Sequence, residues 1–115
     1  MSELSRRLCE LIPDCRPRGV EGGGEEICRV AIACGSGGSL LSAGARAGCD
    51  LFLTGESTFH SCLEAQALGL SLLLIGHFAS ERFSMDHLAK ILAEAHVDVQ
   101  TWASRLEKDP IVILH

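Results

Sequence analysis

The sequence is poor in aromatic and basic residues. Aromatic residues make up 4% of its 115 positions, with no tyrosine, so side chains on which bases or sugars could stack are scarce. Fifteen Asp and Glu residues outnumber 10 Lys and Arg residues, which gives a net charge of −5 at pH 7. Because nucleic-acid binding needs concentrated basic residues, this balance argues against nucleic acid as a partner. No apolar run reaches the ~18 residues that a membrane span requires, so no membrane partner is expected either.

The spacing of the six cysteines does not indicate a disulfide framework. No two of them are spaced as C-x-x-C, and several lie inside apolar runs. The first residues, MSELSRRLCELIP, carry charges throughout and lack the apolar stretch of a secretory signal. We therefore expect a reduced, cytoplasmic chain whose cysteines act as small core residues, with a disulfide-linked chain as the less favoured alternative.

Helical and extended patterns alternate along the chain. Helices are predicted over 3–12, 40–47, about 57–68 and after Ser80; strands over 18–21, 27–33, 50–55 and 71–75, with closing strands over 97–102 and 111–114. Ser39 and Ser80 are the expected N-caps, and Gly48 and Gly69 the expected helix ends. Two apolar faces are predicted to lie in the core, namely Phe59, Cys62, Leu63 and Ala67, and Leu88, Ile91, Leu92 and Ala95.

The main predicted strands are continuous apolar runs and do not alternate with polar residues. Such strands are typical of a sheet covered by helices on both faces. Residues 1–115 are therefore expected to form one α/β domain, a three-layer αβα arrangement with a mixed, mostly parallel sheet.

Polar clusters follow three successive predicted strands: CGSGGS (34–39), TGESTFH (54–60) and GHFASE (76–81). Ligands collect outside the carboxyl ends of strands in such sheets, so we expect the clusters to build one site. The imidazole of His77 and the carboxylate of Glu81 suit a divalent cation such as Zn, Fe or Mn. The same spacing is also typical of a surface histidine beside a glutamate in the first turn of a helix.

Three other features of these clusters allow two interpretations each. His60, with Glu56 and Glu64 four residues away on either side, is a candidate general acid or base, or else a helix-surface histidine. The loop over 35–39 either cradles an anion, because it feeds backbone N–H groups into a helix N-terminus, or forms a tight turn with close backbone packing. It lacks the lysine of a P-loop and the full G-x-G-x-x-G spacing, so a nucleotide fingerprint is not present. Cys34 is either a reactive thiol or a buried, inert one.

Three stretches, in this order, resemble the C-terminal half of the NIF-three-like family: VAIACGSGGSLL (30–41), AGCDLFLTGESTFHSCLEAQALGLSLLLIGHFASER (47–82) and EKDPI (107–111). Members are dinuclear-metal proteins, often called GTP cyclohydrolase I type 2. The resemblance implies an α/β fold, two divalent ions held between the halves of a full-length chain, and a ring-forming homo-oligomer. The family's GHxxSE-type motif matches His77 and Glu81, which would be metal ligands. Its TGDxxxH-like motif matches residues 54–60, which makes His60 a catalytic candidate near the metals and places Glu56 where many members have Asp.

The family's other ligands, a His-His pair and an Asp, belong to an N-terminal half that these residues do not match. The resemblance therefore implies either a fragment or a domain whose site another chain completes. The function expected first is a metal-binding domain with hydrolase-like chemistry on a phosphate-bearing or nucleotide-like substrate, inactive as an isolated chain. The alternative is a non-enzymatic oligomerisation or protein-interaction domain with an incomplete or vacant metal site. Expected partners are further copies of the chain, or a chain that supplies the N-terminal half.

Overall fold

Four strands and four helices form one mixed α/β domain in the computed structural model, which describes residues 1–24 and 26–112. Its elements are α1 (Ser2–Leu11), β1 (Arg18–Val20), β2 (Val30–Ser36), a 3-10 turn (Gly38–Leu40), α2 (Leu41–Arg46), β3 (Leu51–Glu56), α3 (Phe59–Ala67), β4 (Ser71–Leu74) and α4 (His77–Ala95). The strands lie in the order β1-β4-β3-β2. β1 is antiparallel to β4, and the other two pairs are parallel, which confirms the mixed, mostly parallel sheet.

The two central strands are buried on both faces of the sheet, because successive side chains of a strand point in opposite directions. On one face, Phe52 and Leu72 pack with residues of α2 and α3. On the other face, Leu51 and Leu73 pack against apolar residues of α1. Helices therefore cover both faces, and the expected α/β layering is confirmed.

β2 begins three residues later than predicted. The backbone N–H groups of Cys28 and Arg29 donate to Oδ2 of Asp50, at 2.9 and 2.7 Å. Because the backbone N–H groups of Cys28 and Arg29 bond the Asp50 side chain and not a neighbouring strand, strand pairing starts only at Val30. The two hydrogen bonds also lower the pKa of Asp50, because the N–H groups stabilise its ionised form.

Both predicted N-caps are wrong, whereas both predicted helix ends are confirmed. Ser39 lies inside the 3-10 turn, and α4 begins at His77, three residues before Ser80. The Ser80 hydroxyl donates to the His77 carbonyl at 2.8 Å and accepts from the Gly35 N–H at 2.9 Å. It therefore ties α4 to the end of β2 and does not cap a helix. Gly48 directly follows the C-cap residue of α2, and Gly69 directly follows the C-cap residue of α3.

The two predicted core faces of the helices are largely exposed. Phe59 is 73% exposed, and in α3 it is Ala65 that is buried. In α4 only Ala79 and Ser80 are buried. All four residues of its predicted core face are exposed, namely Leu88, Ile91, Leu92 and Ala95. Helical periodicity identifies an apolar face but not what covers it, and only the first turns of α4 reach the sheet. No helix among the described residues is long and apolar enough to cross a membrane.

The segment after α4 does not form the predicted closing strands. Residues 97–102 contain no strand, and neither do 111–112; the rest of the second predicted strand lies outside the described residues. The segment runs back along α4 instead. Thr101 Oγ1 donates to the Ala89 carbonyl at 3.0 Å, and the Arg82 guanidinium bonds the Ser104 carbonyl and pairs with Glu107 at 3.3 Å. Contacts with the helix thus replace sheet hydrogen bonds.

All six cysteines are free, as expected of a reduced chain. Their expected role as core residues holds for Cys15, whose burial raises the pKa of its thiol to about 11, and in part for Cys49 and Cys62, which are half-buried and pack against the core. Cys34 is exposed, because β2 is an edge strand and its outer face, which includes the 69% exposed Ile32, is left uncovered in this chain.

Candidate metal centre

The ends of β2 and β3 and the start of α4 meet at one edge of the sheet. This is the arrangement expected when the carboxyl ends of parallel strands lie side by side. It brings together the last residues of β2, Glu56 at the end of β3, and His77 and Glu81 in the first turns of α4. The prediction that the three polar clusters converge is therefore confirmed.

His77 and Glu81 face each other one helical turn apart. Nε2 of His77 lies 3.3 Å from Oε2 of Glu81, and the two side chains are 43% and 51% exposed. Two ligands that each lie ~2.1 Å from a tetrahedral ion are about 3.4 Å apart. The pair therefore has the atom types, the spacing and the access to solvent that a shared cation would need.

The other ring nitrogen of His77 is engaged by Glu56. Nδ1 of His77 lies 2.8 Å from Oε1 of Glu56, and the Ser36 hydroxyl donates to the same oxygen at 2.8 Å. The hydrogen bond with Glu56 raises the pKa of His77, and that with His77 lowers the pKa of Glu56. The sequence identified Glu56 as a motif position and as a neighbour of His60 but not as a partner of His77, because a contact across 21 residues leaves no periodic signal.

Gly35 forms the wall of the site opposite the pair. It has a φ of +64°, and a Cβ added there would clash with Oε1 of Glu81 and lie 3.2 Å from Nε2 of His77. Its N–H is held by Ser80, and its carbonyl accepts from Thr54 Oγ1 at 3.0 Å. The end of β2 thus serves as a close-packed backbone wall at Gly35, which agrees with the interpretation of these glycines as a tight turn with close backbone packing.

A cavity of about 490 Å³ opens beside the pair. Its lining includes four carboxylates, from Glu56, Glu81, Glu107 and Asp109, against one guanidinium, that of Arg82, and the imidazole of His77. The segment after α4 therefore closes one side of the site and makes it acidic, a setting that favours cations. A larger cavity of about 760 Å³ beside Arg16 includes neither His77 nor Glu81.

His60 is not brought to this cavity. It lies exposed in the first turn of α3, with its ring edge-on to that of Phe59 at a centroid distance of 6.3 Å. The two carboxylates that flank it in the sequence bond elsewhere: Glu56 as described, and Glu64 with the Ser42 hydroxyl at 2.7 Å. His60 therefore does not line the cavity beside the pair, and its catalytic role stays a prediction.

Within the described part of the chain, no group of three or more His, Cys, Asp or Glu side chains could hold a metal ion. His77 and Glu81 thus offer two ligand atoms, fewer than the three or four that a protein zinc site uses. These two side chains alone therefore do not complete such a site.

Comparison with known proteins agrees with this fold. The family Duf34/NIF3 (NGG1p interacting factor 3) matches residues 1–110. The chain is 42% identical over 77 residues to a Campylobacter jejuni "GTP cyclohydrolase 1 type 2 homolog", with 67% of this chain and 31% of that protein covered. It is 32% identical over 124 residues to the "Protein NIF3 homolog" of Schizosaccharomyces pombe, with 99% and 42% covered.

A solved structure shows the same fold. A Bacillus cereus protein related to NIF3 superposes with a TM-score of 0.77 at 21% identity, over 97% of this chain and 32% of that one. The chain thus spans less than half the length of each of these relatives. Since the family match extends over nearly all of its residues, the chain belongs to the Duf34/NIF3 family.

Proposed function

We propose that this chain supplies His77 and Glu81 as ligands to a dinuclear site for divalent metal ions such as Zn, Fe or Mn. The observation that carries the proposal is the 3.3 Å approach of His77 Nε2 to Glu81 Oε2 against the bare backbone of Gly35. Because two side chains do not complete a site, the remaining ligands come from another chain or another part of a longer one.

The proposed chemistry is hydrolase-like and acts on a phosphate-bearing or nucleotide-like substrate. Divalent ions, when bound, lower the pKa of water and polarise phosphoryl or carbonyl oxygens. The chain's own part is to hold those ions through His77 and Glu81 and to shield one side of the cavity with Pro110 and Ile111. Arg82 is already paired with Asp86 and Glu107, so substrate charge would be neutralised by the ions. His60 is the proposed proton carrier, and its exposure to solvent supports that role.

The proposed partners are further copies of this chain or a chain that supplies the other ligands, in the cytoplasm. The six free thiols support a reducing compartment, and the net charge of −5 speaks against nucleic acid.

A second candidate function is that of a non-enzymatic oligomerisation domain with a vacant or incomplete metal site. The observation that favours it is the open edge strand β2, where Ile32 is 69% exposed beside the exposed Val30. An uncovered apolar edge strand is typically paired or covered in an assembly.

Titration of the purified chain with Mn²⁺, followed by broadening of its amide NMR signals, separates the two functions. Mn²⁺ is the suitable ion because its preference for oxygen and nitrogen ligands avoids the six cysteines. We expect weak binding that broadens the signals of residues 76–81 and is lost in His77→Ala and Glu81→Ala. Matched controls on the exposed part of the same helix, His87→Ala and Glu94→Ala, should bind as the parent does.

Two results would contradict the first function. A chain that shows no broadening near residue 77 yet forms a stable oligomer supports the second function instead. An isolated monomer that holds two ions at full occupancy would show that the chain completes the site without ligands from another chain.

A further inference from the structure

We infer that Glu56 is a positioning residue for His77: its carboxylate holds the imidazole with the proton on Nδ1, so that Nε2 faces Glu81 with a free lone pair. This inference rests on the proposed metal-binding function and adds a residue to it. The supporting geometry is the 2.8 Å contact between Glu56 Oε1 and His77 Nδ1, together with the approach of Nε2 to Glu81 on the opposite side of the ring.

The two nitrogens of a neutral imidazole have different roles, since one carries a proton and the other accepts or binds a metal. An ionised carboxylate can only accept hydrogen bonds, and of the two carboxylates at the ring Glu56 is the closer, at 2.8 Å against 3.3 Å for Glu81. Glu56 therefore selects the form of His77 in which Nδ1 carries the proton. Metal-binding histidines characteristically donate their second N–H to a carboxylate or a carbonyl, which fixes the ring and strengthens the ligand. The arrangement of Glu56, His77 and Glu81 has this form.

The fold holds Glu56 from a second direction. Ser36 donates its hydroxyl proton to the same Oε1 at 2.8 Å, and one carboxylate oxygen can accept both bonds. Ser36 reaches this point because the pairing of β2 with β3 shifts register between Ala33 and Ser36, which sets Ser36 opposite Glu56. Such an irregularity in a strand re-aims the side chain that follows it.

Glu64 provides a matched control. It also accepts a hydrogen bond from a serine on a neighbouring element, Ser42 Oγ at 2.7 Å, but it contacts no histidine in the described hydrogen bonds. Glu56→Ala and Glu64→Ala therefore each remove one serine–glutamate bond, and only the first should change His77.

The test compares the parent, Glu56→Ala and Glu64→Ala in two measurements. Long-range ¹H–¹⁵N NMR of the metal-free chain at pH ~9, where imidazole is neutral, reports which ring nitrogen carries the proton. We expect the proton on Nδ1 of His77 in the parent and in Glu64→Ala, and a shift toward Nε2 in Glu56→Ala. Titration with Mn²⁺ should show affinity reduced by about tenfold or more in Glu56→Ala and unchanged in Glu64→Ala.

The two measurements distinguish failure of the inference from failure of the proposed function. If the parent binds Mn²⁺ and Glu56→Ala has the same tautomer and the same affinity, Glu56 does not position His77 and the inference is overturned. If the tautomer changes as expected but the parent binds no Mn²⁺, the inference about His77 stands and the metal-binding function fails.

Discussion

Replacement of Gly35 by alanine is the most direct test of the site's geometry. At a φ of +64°, an added Cβ would clash with Oε1 of Glu81 and lie 3.2 Å from Nε2 of His77. The backbone cannot retreat easily, because Ser80 holds the N–H of Gly35 and Thr54 holds its carbonyl. The Glu81 side chain is half exposed and can rotate away. We therefore expect the substitution to separate the pair and leave the fold intact.

Two effects of Gly35→Ala have to be separated, and Gly69→Ala provides the means. A non-glycine residue in the left-handed region costs roughly 1–2 kcal/mol of stability. Gly69 has nearly the same φ, +67°, but an added Cβ there would meet nothing within 4 Å. Both variants should therefore lose about the same free energy of unfolding, while only Gly35→Ala loses the space for a cation between His77 and Glu81.

Urea unfolding measures the first effect, and Mn²⁺ titration followed by NMR measures the second. We expect similar unfolding free energies for the two variants, and Mn²⁺ affinity about tenfold or more weaker in Gly35→Ala, since a displaced ligand costs at least as much as a lost supporting contact. Equal Mn²⁺ affinity in the two variants would refute the reasoning that the bare backbone at Gly35 is what makes room for the ion.

Two further predictions concern the surroundings of the site. The pKa of Asp50 is lower in the folded chain because of the N–H groups of Arg29 and Cys28, so its contribution to stability is present above its unfolded pKa of about 3.9 and is lost as the pH falls through the folded value. At pH 7, Asp50→Asn should accordingly unfold at a lower urea concentration than the parent, and this difference should become smaller as the pH falls. A difference that becomes larger in acid would contradict the expected pH dependence of the stability that Asp50 contributes. Arg82→Ala should release the segment after α4, because Arg82 holds that segment through Ser104 and Glu107. A loss of about 1.4 kcal/mol in the segment's local stability should make its amide hydrogen exchange roughly tenfold faster. Lys90→Ala, which removes an exposed pair with Glu94 at 4.0 Å, should leave that exchange unchanged.

The central strands and the place of the site could be predicted from the sequence for local reasons. Leu51–Leu53 and Leu72–Leu74 are apolar on both faces, so only a sheet covered by helices could bury them. The polar residues that follow those strands then had to meet at one edge. The spacing of His77 and Glu81 also needed nothing beyond one helical turn, since residues four apart lie on the same face.

Contacts between distant residues could not be predicted in the same way. Asp50 accepts hydrogen bonds from the backbone of Cys28 and Arg29, where a strand was predicted. Ser80, predicted as an N-cap, lies inside α4 and bonds Gly35 and His77. The apolar periodicity of α4 predicted a buried face, but Leu88 and Ile91 are exposed. Burial depends on what lies opposite a face, and a single chain's pattern does not contain that information.

Local chemistry along the chain thus determined the strand cores, the helix ends at glycine and the His77–Glu81 pair. Tertiary structure alone decided that Glu56 contacts the second ring nitrogen of His77, that the backbone of Gly35 packs beside the pair, and that His60 does not line the cavity. The physical reason is the range of the interactions. Periodicity and capping act within a few residues, whereas the orientation of an imidazole depends on atoms brought to it from other strands.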